Sequence, residues 1–477
     1  MHSWLNINSN ADVEKLSAEI PESYNPTEVA RLLKRSLSPE VKGILIESEY
    51  VDKDYRSTYY GFYSKKGLRY SSFCIRLHFF RAGVSLTPDL ELRSSSGRLE
   101  EHYIGYMVVR PTPIAPIGRT VLSVHARANA DGAIIDANHH VHVLGYRFEV
   151  RGFPFMQQHT DISICAHAAC WSILRHYSQR YRRYAEFAVG DITLMASATN
   201  PGGLIPSRGL RVEQACRVFS QATLFPDIYT RDEFDENFYR LLNAYVESGF
   251  PVFGALHEKQ HAITIIGHGK VDREALDNVA APLYAWDAIN SLVVIDDNYM
   301  PYLTIDALNP NPYTISDIDT FIVPLPEKIY FPAEAVEGQV EGLLAKGFPR
   351  LDWTHLKKPV IRYFITTSAN LRKYIREQSS ALPSELFRTL IEIALPQFVW
   401  VVQITDLEDW KKQRANTIWV LDATASALDE QPFFLLHDRK TAFVYDRGES
   451  TVQGWFAFDD KQFEFISEFR GNLTYRQ

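Results

Sequence analysis

The sequence predicts an α+β protein built in three parts, over residues 1–150, 151–325 and 326–477. Its 477 residues exceed what one hydrophobic core ordinarily serves, so two or three domains are expected. Helical and strand-like runs both recur in each part, which excludes an all-helical or all-strand architecture. Hydrophobic residues make up 46% and charged residues 23%, enough apolar material for real cores and too little charge for wholesale disorder.

In the first part, NPTEVARLLKRSL reads as a helix, with Asn25 as its cap and Pro26 at the first helical position. Val29, Leu32, Leu33 and Leu37 recur there at helical spacing. Strand-like runs follow: VKGILIESEYV, TYYGFY and the alternating FCIRLHFF. Three prolines between Pro111 and Pro116 exclude a central strand, so VVRPTPIAPIGRTVLS is expected to be an extended connector leading into a strand.

The middle part is expected to carry the chemistry. RGFPFMQQHTD reads as a loop, and CAHAACWSILRHYSQRY and VEQACRVFSQA as helices. A further helix, FDENFYRLLNAYVESG, is stopped by Gly249. PVFGALH and HAITIIGHG form two strands joined by a short polar turn, and SLVVIDDN is a third strand after an insertion, VDREALDNVAAPLYAWDAIN. In the last part RYFITTS, FVWVVQIT, TIWVLDAT, FFLLHD and TAFVYD read as strands and ANLRKYIREQS as a helix, with no motif tied to a reaction.

Bulk properties narrow the function classes. A net charge of −8 disfavours a general nucleic-acid binder. No apolar window reaches membrane-spanning length, and the N-terminus lacks a secretory pattern, so no membrane association is expected. The four cysteines are too sparse for a disulfide framework, which makes a reducing, cytoplasmic location the default.

A thiol hydrolase needs a cysteine at a helix N-terminus, where the dipole favours thiolate, and a histidine within reach of the sulfur. It also needs a group that holds the imidazole and a donor facing the developing oxyanion. The chain supplies these in order: Gln158, then Cys165 opening an apolar helix, then His261 beginning HAITIIGHG, then Asp296 and Asp297 ending LVVIDD. Asp296 is first off its strand and is expected to be the third triad member, with Asp297 as the alternative; Gln157 is the alternative donor to Gln158. Cys170 lies five residues along the helix, a rotation of about 500°, so the two thiols point about 140° apart and only one can face the histidine. Cys165 is at the dipole end and is the expected nucleophile. Cys74, Cys170 and Cys216 are expected to be packing residues, and His257 and His268 to be neighbours of the base.

QQHTDISICAHAACWSIL resembles the Gln–loop–Cys-helix signature of papain-like cysteine peptidases, especially the bacterial peptidases that cut leader peptides after a double glycine. PVFGALHEKQHAITIIGHG resembles their histidine hairpin, and VVIDDNYMPYLTI the strand that delivers their aspartate. The resemblance covers about residues 153–310. It implies a papain-like central domain, a Cys helix packed on an antiparallel sheet, that hydrolyses amide bonds through an acyl-enzyme. A peptide or protein substrate is implied, with no cofactor and no metal. Ala166-His167 stands where the family has Gly-Pro, and the insertion between the His and Asp strands is expected to reshape the cleft rim. A transglutaminase-like acyl transferase and a catalytically silent sensor are the rival readings on the same scaffold.

Three other motifs have ordinary readings. His139, His140 and His142 fit a polar strand without a matched further ligand for a metal. The tyrosines and arginines of RHYSQRYRRY suit the C-terminal end of a helix better than a single-strand-binding patch. GLIPSRGLR has glycines without the spacing of a phosphate loop.

Overall fold

The computed structural model describes residues 2–126, 132–158, 165–196, 210–347, 351, 353, 356–447, 451–459 and 463–476. The chain is mixed α+β, with helix and strand in equal shares. Three large sheets follow the three parts, but each part also lends strands to a neighbour. No helix among the described residues is long and apolar enough to cross a membrane.

The first sheet is antiparallel and seven-stranded, in the order His2–Asn6, Gly43–Tyr50, Cys74–Phe80, Tyr103–Val109, Ile117–Ser123, Tyr146–Phe155 and Ala137–Val143. The helix Pro26–Ser36 covers one face, and Asn25 caps it by accepting from the Glu28 amide at 3.3 Å. FCIRLHFF alternates in sequence, yet Cys74–Phe80 is buried on both faces. Its two polar residues are matched: Arg76 bonds Glu47 at 2.7 Å and the His142 carbonyl at 2.6 Å, and His78 bonds Tyr103 at 3.0 Å.

Two local expectations fail here. TYYGFY is not a strand; it completes the helix Lys53–Gly61 and the turn after it. Asp52 starts that helix by accepting from the Tyr55 amide at 2.9 Å. Tyr55, Tyr59 and Tyr63 recur every fourth residue, with Tyr55 about equidistant from the other two rings (6.1 and 5.9 Å). Helical spacing therefore overrides the β-propensity of tyrosine. RGFPFMQQHTD is also not simply a loop, because the strand Tyr146–Phe155 runs through RGFPF. Pro154 is tolerated because pairing with Ala137–Val143 ends at Gly152, which leaves it a neighbour on one side only.

The central sheet runs Phe225–Thr230, Thr320–Leu325, Val252–Leu256, His261–His268, Ser291–Ile295 and Leu303–Asp306. Two short strands from elsewhere join it: Gly132–Ile134 pairs with Gly267 and His268, and Thr474–Arg476 pairs with Gly132–Ile134 in turn. The C-terminal sheet runs Leu283–Tyr284, Pro359–Thr367, Phe398–Asp406, Trp419–Asp422, Phe433–His437, Thr441–Asp446 and Thr451–Ala457. Its first strand comes from the insertion between the His and Asp strands. Leu276, Leu283, Ala285 and Ala288 of that insertion bury against Val360, Leu407 and Trp410. None of the insertion lines the cleft at Cys165, so its expected effect on the cleft rim is not seen; its apolar residues follow the C-terminal sheet instead.

The helix Cys165–Arg180 is the centrepiece. Cys165 through Tyr177 are all buried, because the helix packs against strands of both the first and the central sheet. A buried polar cluster ties it to the first part: Asp54 accepts from Arg175 at 2.7 Å and from the Trp171 indole at 3.1 Å. Removing one member of a buried pair leaves an uncompensated charge. Asp54→Ala is therefore expected to cost about 3–5 kcal/mol, read from the urea midpoint at unchanged m-value.

Candidate active site

Cys165 is the first residue of its helix, where backbone N–H groups lack intrahelical partners and the dipole favours negative charge. It lines a cleft of about 690 Å³ together with His261. His261 opens its strand opposite Leu256, so the hairpin register places the imidazole at the sheet end facing the helix start. Asp296 follows the strand Ser291–Ile295, and Thr264 pairs with Ile295, which sets the aspartate beside the histidine.

The His261 ring is held on both sides. Its Nε2–H donates to Asp296 Oδ2 at 3.0 Å, and the Cys165 sulfur hydrogen-bonds the ring. Burial disfavours the charged imidazolium, but the bonds to Asp296 and Cys165 outweigh it and raise the pKa to about 10. Asp296 is buried, which by itself would raise its pKa; the bond and charge of His261, with its other donors, bring the net shift below the usual range. Those donors are the Tyr313 hydroxyl at 2.6 Å on Oδ2, and the Asn298 backbone N–H at 2.8 Å and side-chain amide at 3.3 Å on Oδ1.

Asp297, the alternative third member, makes no such bond to His261. It is buried, and neither carboxylate oxygen has an aligned donor among the described residues. Burial and the neighbouring Asp296 charge push its pKa up to about 7, with only small relief from His261 and nearby backbone amides, that of Gln158 among them. The two adjacent aspartates thus have opposite environments.

Gln158 is half-buried three residues past the end of its strand, and its backbone amide neighbours Asp297. Gln157 is committed elsewhere: its side-chain oxygen accepts from the Ile117 amide at 2.9 Å and its own amide donates to the Ile117 carbonyl at 3.1 Å. Of the two glutamines, Gln158 has the side chain that this pairing leaves available. Arg110 pins both backbone carbonyls, at 3.2 and 3.4 Å. The loop joining Gln158 to Cys165, and the glycines of GLIPSRG, lie outside the described residues.

The remaining candidates separate from the site. Burial raises the thiol pKa of Cys74 and Cys170, and that of Cys216 to about 11. His257 pairs with Asp319 at the cleft edge. His268 ends the His261 strand, about 23 Å away at strand rise, and pairs with Glu247 at 3.0 Å. On the strand Ala137–Val143, His140 and His142 share the exposed face, and His140 faces Glu149 at 3.1 Å. Tyr177, Tyr181 and Tyr184 of RHYSQRYRRY pack on one another at 5.5–6.1 Å, and Tyr177 donates to the Pro324 carbonyl, so these rings are not free to stack bases.

Among the described residues, one cluster has ligand atoms close enough for a metal: His261, Asp296 and Asp297, within 4.8 Å of one another. The His261 ring is already engaged on both sides, so a cation there would have to displace the Asp296 or Cys165 bond.

Tyr313 and Asn298 are functional candidates that sequence reasoning missed. Asn298 had a local signal, since an aspartate commonly accepts from the amide two residues on. Tyr313 had none, because it reaches Asp296 from a loop after the following strand. No family model and no curated protein matches the chain.

An imidazole raised to about 10 contributes stability that is fully present below the unfolded-state value of about 6.5 and is lost as pH rises through about 10. NMR of ring-labelled histidine is expected to show His261 still protonated at pH 8. Asp296→Asn should move its titration down toward about 6.5. A wild-type midpoint near that ordinary value would contradict the pairing.

Proposed function

We propose that the protein is a papain-like cysteine hydrolase that cleaves an amide bond in a peptide or protein substrate, with Cys165 as nucleophile and His261 as its base. The observation that carries this reading is the imidazole of His261 held between the Cys165 sulfur and the Asp296 carboxylate. A helix start, a strand start and a strand end supply the three groups, which is the order and element type the sequence resemblance implies.

The chemistry follows from these positions. His261 carries at rest, as imidazolium, the proton taken from Cys165, and the sulfur attacks the substrate carbonyl carbon to form a tetrahedral oxyanion. The backbone N–H groups at the helix start and the Gln158 side chain are the proposed donors to that oxygen. His261 then protonates the departing amine, the C–N bond breaks, and a thioester remains on Cys165. Water, deprotonated by His261, attacks the thioester; the acid leaves and the thiol is restored. Asp296 keeps Nε2–H pointed at itself so that the other ring nitrogen faces sulfur, and Tyr313 and Asn298 keep Asp296 ionised and oriented.

The cleft supports a peptide-like ligand. Phe253, Leu256, Val212 and Ile228 give it apolar walls, and the small residues Ala166, Ala255 and Ala262 also line it, Ala166 next to Cys165 and Ala262 next to His261 in the chain. An extended chain with a small residue at the scissile bond suits this shape.

An iodoacetamide probe below pH 8.5 is expected to label Cys165 ahead of Cys74, Cys170 and Cys216, and His261→Ala to slow that labelling without unfolding the protein. Equal labelling of all four cysteines only after denaturation would overturn the reading. In a peptide-library cleavage assay, Cys165→Ala should abolish turnover, and Gln158→Ala should lower it on the order of 10²–10³-fold. EDTA should leave turnover unchanged; loss on chelation and recovery with zinc would transfer the site to metal chemistry through His261, Asp296 and Asp297.

A further inference from the structure

A second cavity lies where the three parts of the chain meet, away from the Cys165 cleft. Its volume is about 330 Å³, within the range of about 300–1,000 Å³ found for small-molecule sites. Gly132 comes from the first part, Glu247, His268 and Arg273 from the middle, and Arg362, Trp410 and Tyr475 from the last.

The walls carry more positive than negative charge. Lys270, Arg273, Arg362 and Arg470 face the cavity with only Glu247 and Glu468 as carboxylates. Two of the cations are neutralised in place. Arg273 bonds Glu468 through two parallel contacts at 2.8 and 2.6 Å, and Arg362 bonds Glu247 at 2.5 Å. Arg470 lies over the Tyr475 ring at 5.0 Å and bonds Gln413 at 2.6 Å, with Glu468, already paired to Arg273, at 4.0 Å. Lys270 is exposed and has no anionic partner among the described residues. Two positive charges are thus left without a dedicated counter-charge at the rim of a built pocket. The buried Trp410 also lines the cavity, and its indole N–H has no acceptor among the described residues.

We propose that this cavity is a separate ligand site, for a small molecule carrying a phosphate-type dianion. A phosphate monoester carries about −1.5 to −2 at neutral pH and several acceptor oxygens, matching the excess charge and the guanidinium and ammonium donors at the rim. The buried carboxylates hold Arg273 and Arg362 rigid, so the dianion meets a preformed wall, and the cavity leaves room for an organic body beside the anion. Because the strands Gly132–Ile134 and Thr474–Arg476 meet beside it, a ligand here grips all three parts of the chain at once.

The test is calorimetry and thermal unfolding of the full chain with inorganic phosphate and with phenyl phosphate, at ionic strength held constant with sodium chloride. Saturable binding of either compound, with a rise in melting temperature, is expected. Tighter binding of phenyl phosphate assigns an esterified ligand, and tighter binding of phosphate assigns the free ion. The double variant Lys270→Gln/Arg470→Gln should weaken binding at least tenfold while Cys165 labelling is unchanged. Should that variant melt lower without ligand, Lys270→Gln alone, at an exposed position, carries the same comparison with a smaller loss. Absence of saturable binding for both compounds, or equal affinity in the variants, overturns the proposal.

Discussion

Burial of the helix from Cys165 to Tyr177 on every side is the constraint from which the rest of the architecture follows. A helix stretch with no solvent face must place its polar side chains inside the protein, and several of them bond to neighbouring layers. Trp171 and Arg175 reach Asp54 in the first part, and the Tyr177 hydroxyl reaches the Pro324 carbonyl of the central sheet. From the sheet side, the Thr264 hydroxyl donates to the Ala169 carbonyl at 3.3 Å. These bonds fix the helix in rotation as well as in translation. They therefore decide which of its two cysteines meets His261, and they bury Cys170 completely.

The neighbouring aspartates show how one sheet end makes two kinds of carboxyl. Asp296 accepts from His261, from Tyr313 and twice from Asn298, and so stays charged despite burial. Asp297 is also buried but has no aligned donor among the described residues, and its charge is disfavoured by that burial and by Asp296 itself. Below neutral pH the second carboxyl is therefore mostly uncharged, and there the Asp296 charge is the main one acting on the imidazole. Divergent environments for adjacent acids are a recurrent device for assigning distinct roles to identical side chains.

Local pattern carried the elements that lie within one stretch of chain. The Asn25 cap, the His hairpin, the strand ending at Asp296 and most C-terminal strands were readable from spacing and turn residues, and so was the mixed α+β class. What was not readable depends on distant partners. TYYGFY has the composition of a strand, and only the Asp52 cap and the fourfold tyrosine spacing make it helical. The insertion after His268 has no strong period of its own, and it folds because the C-terminal sheet offers a surface to Leu283 and Tyr284. At the candidate site, Cys165, His261 and Asp296 were legible because a helix start, a strand start and a strand end mark them. Tyr313 was silent because its hydrogen bond is set by tertiary approach alone.

The strand joinery beside His268 bears on how the molecule comes to be folded. Gly132–Ile134 lies between the strand that begins with His261 and the strand Thr474–Arg476, so a segment near residue 132 must wait for one near residue 474. Contacts of such long sequence separation are slow to close, and they form after local helices and hairpins. On a ribosome the first sheet can assemble early, whereas the sheet that bears His261 gains its last strand only once nearly all of this sequence has emerged. The far end of the His261 strand, at Gly267 and His268, is thus the last part of the central sheet to be closed, and a chain released short of residue 474 would leave that edge open.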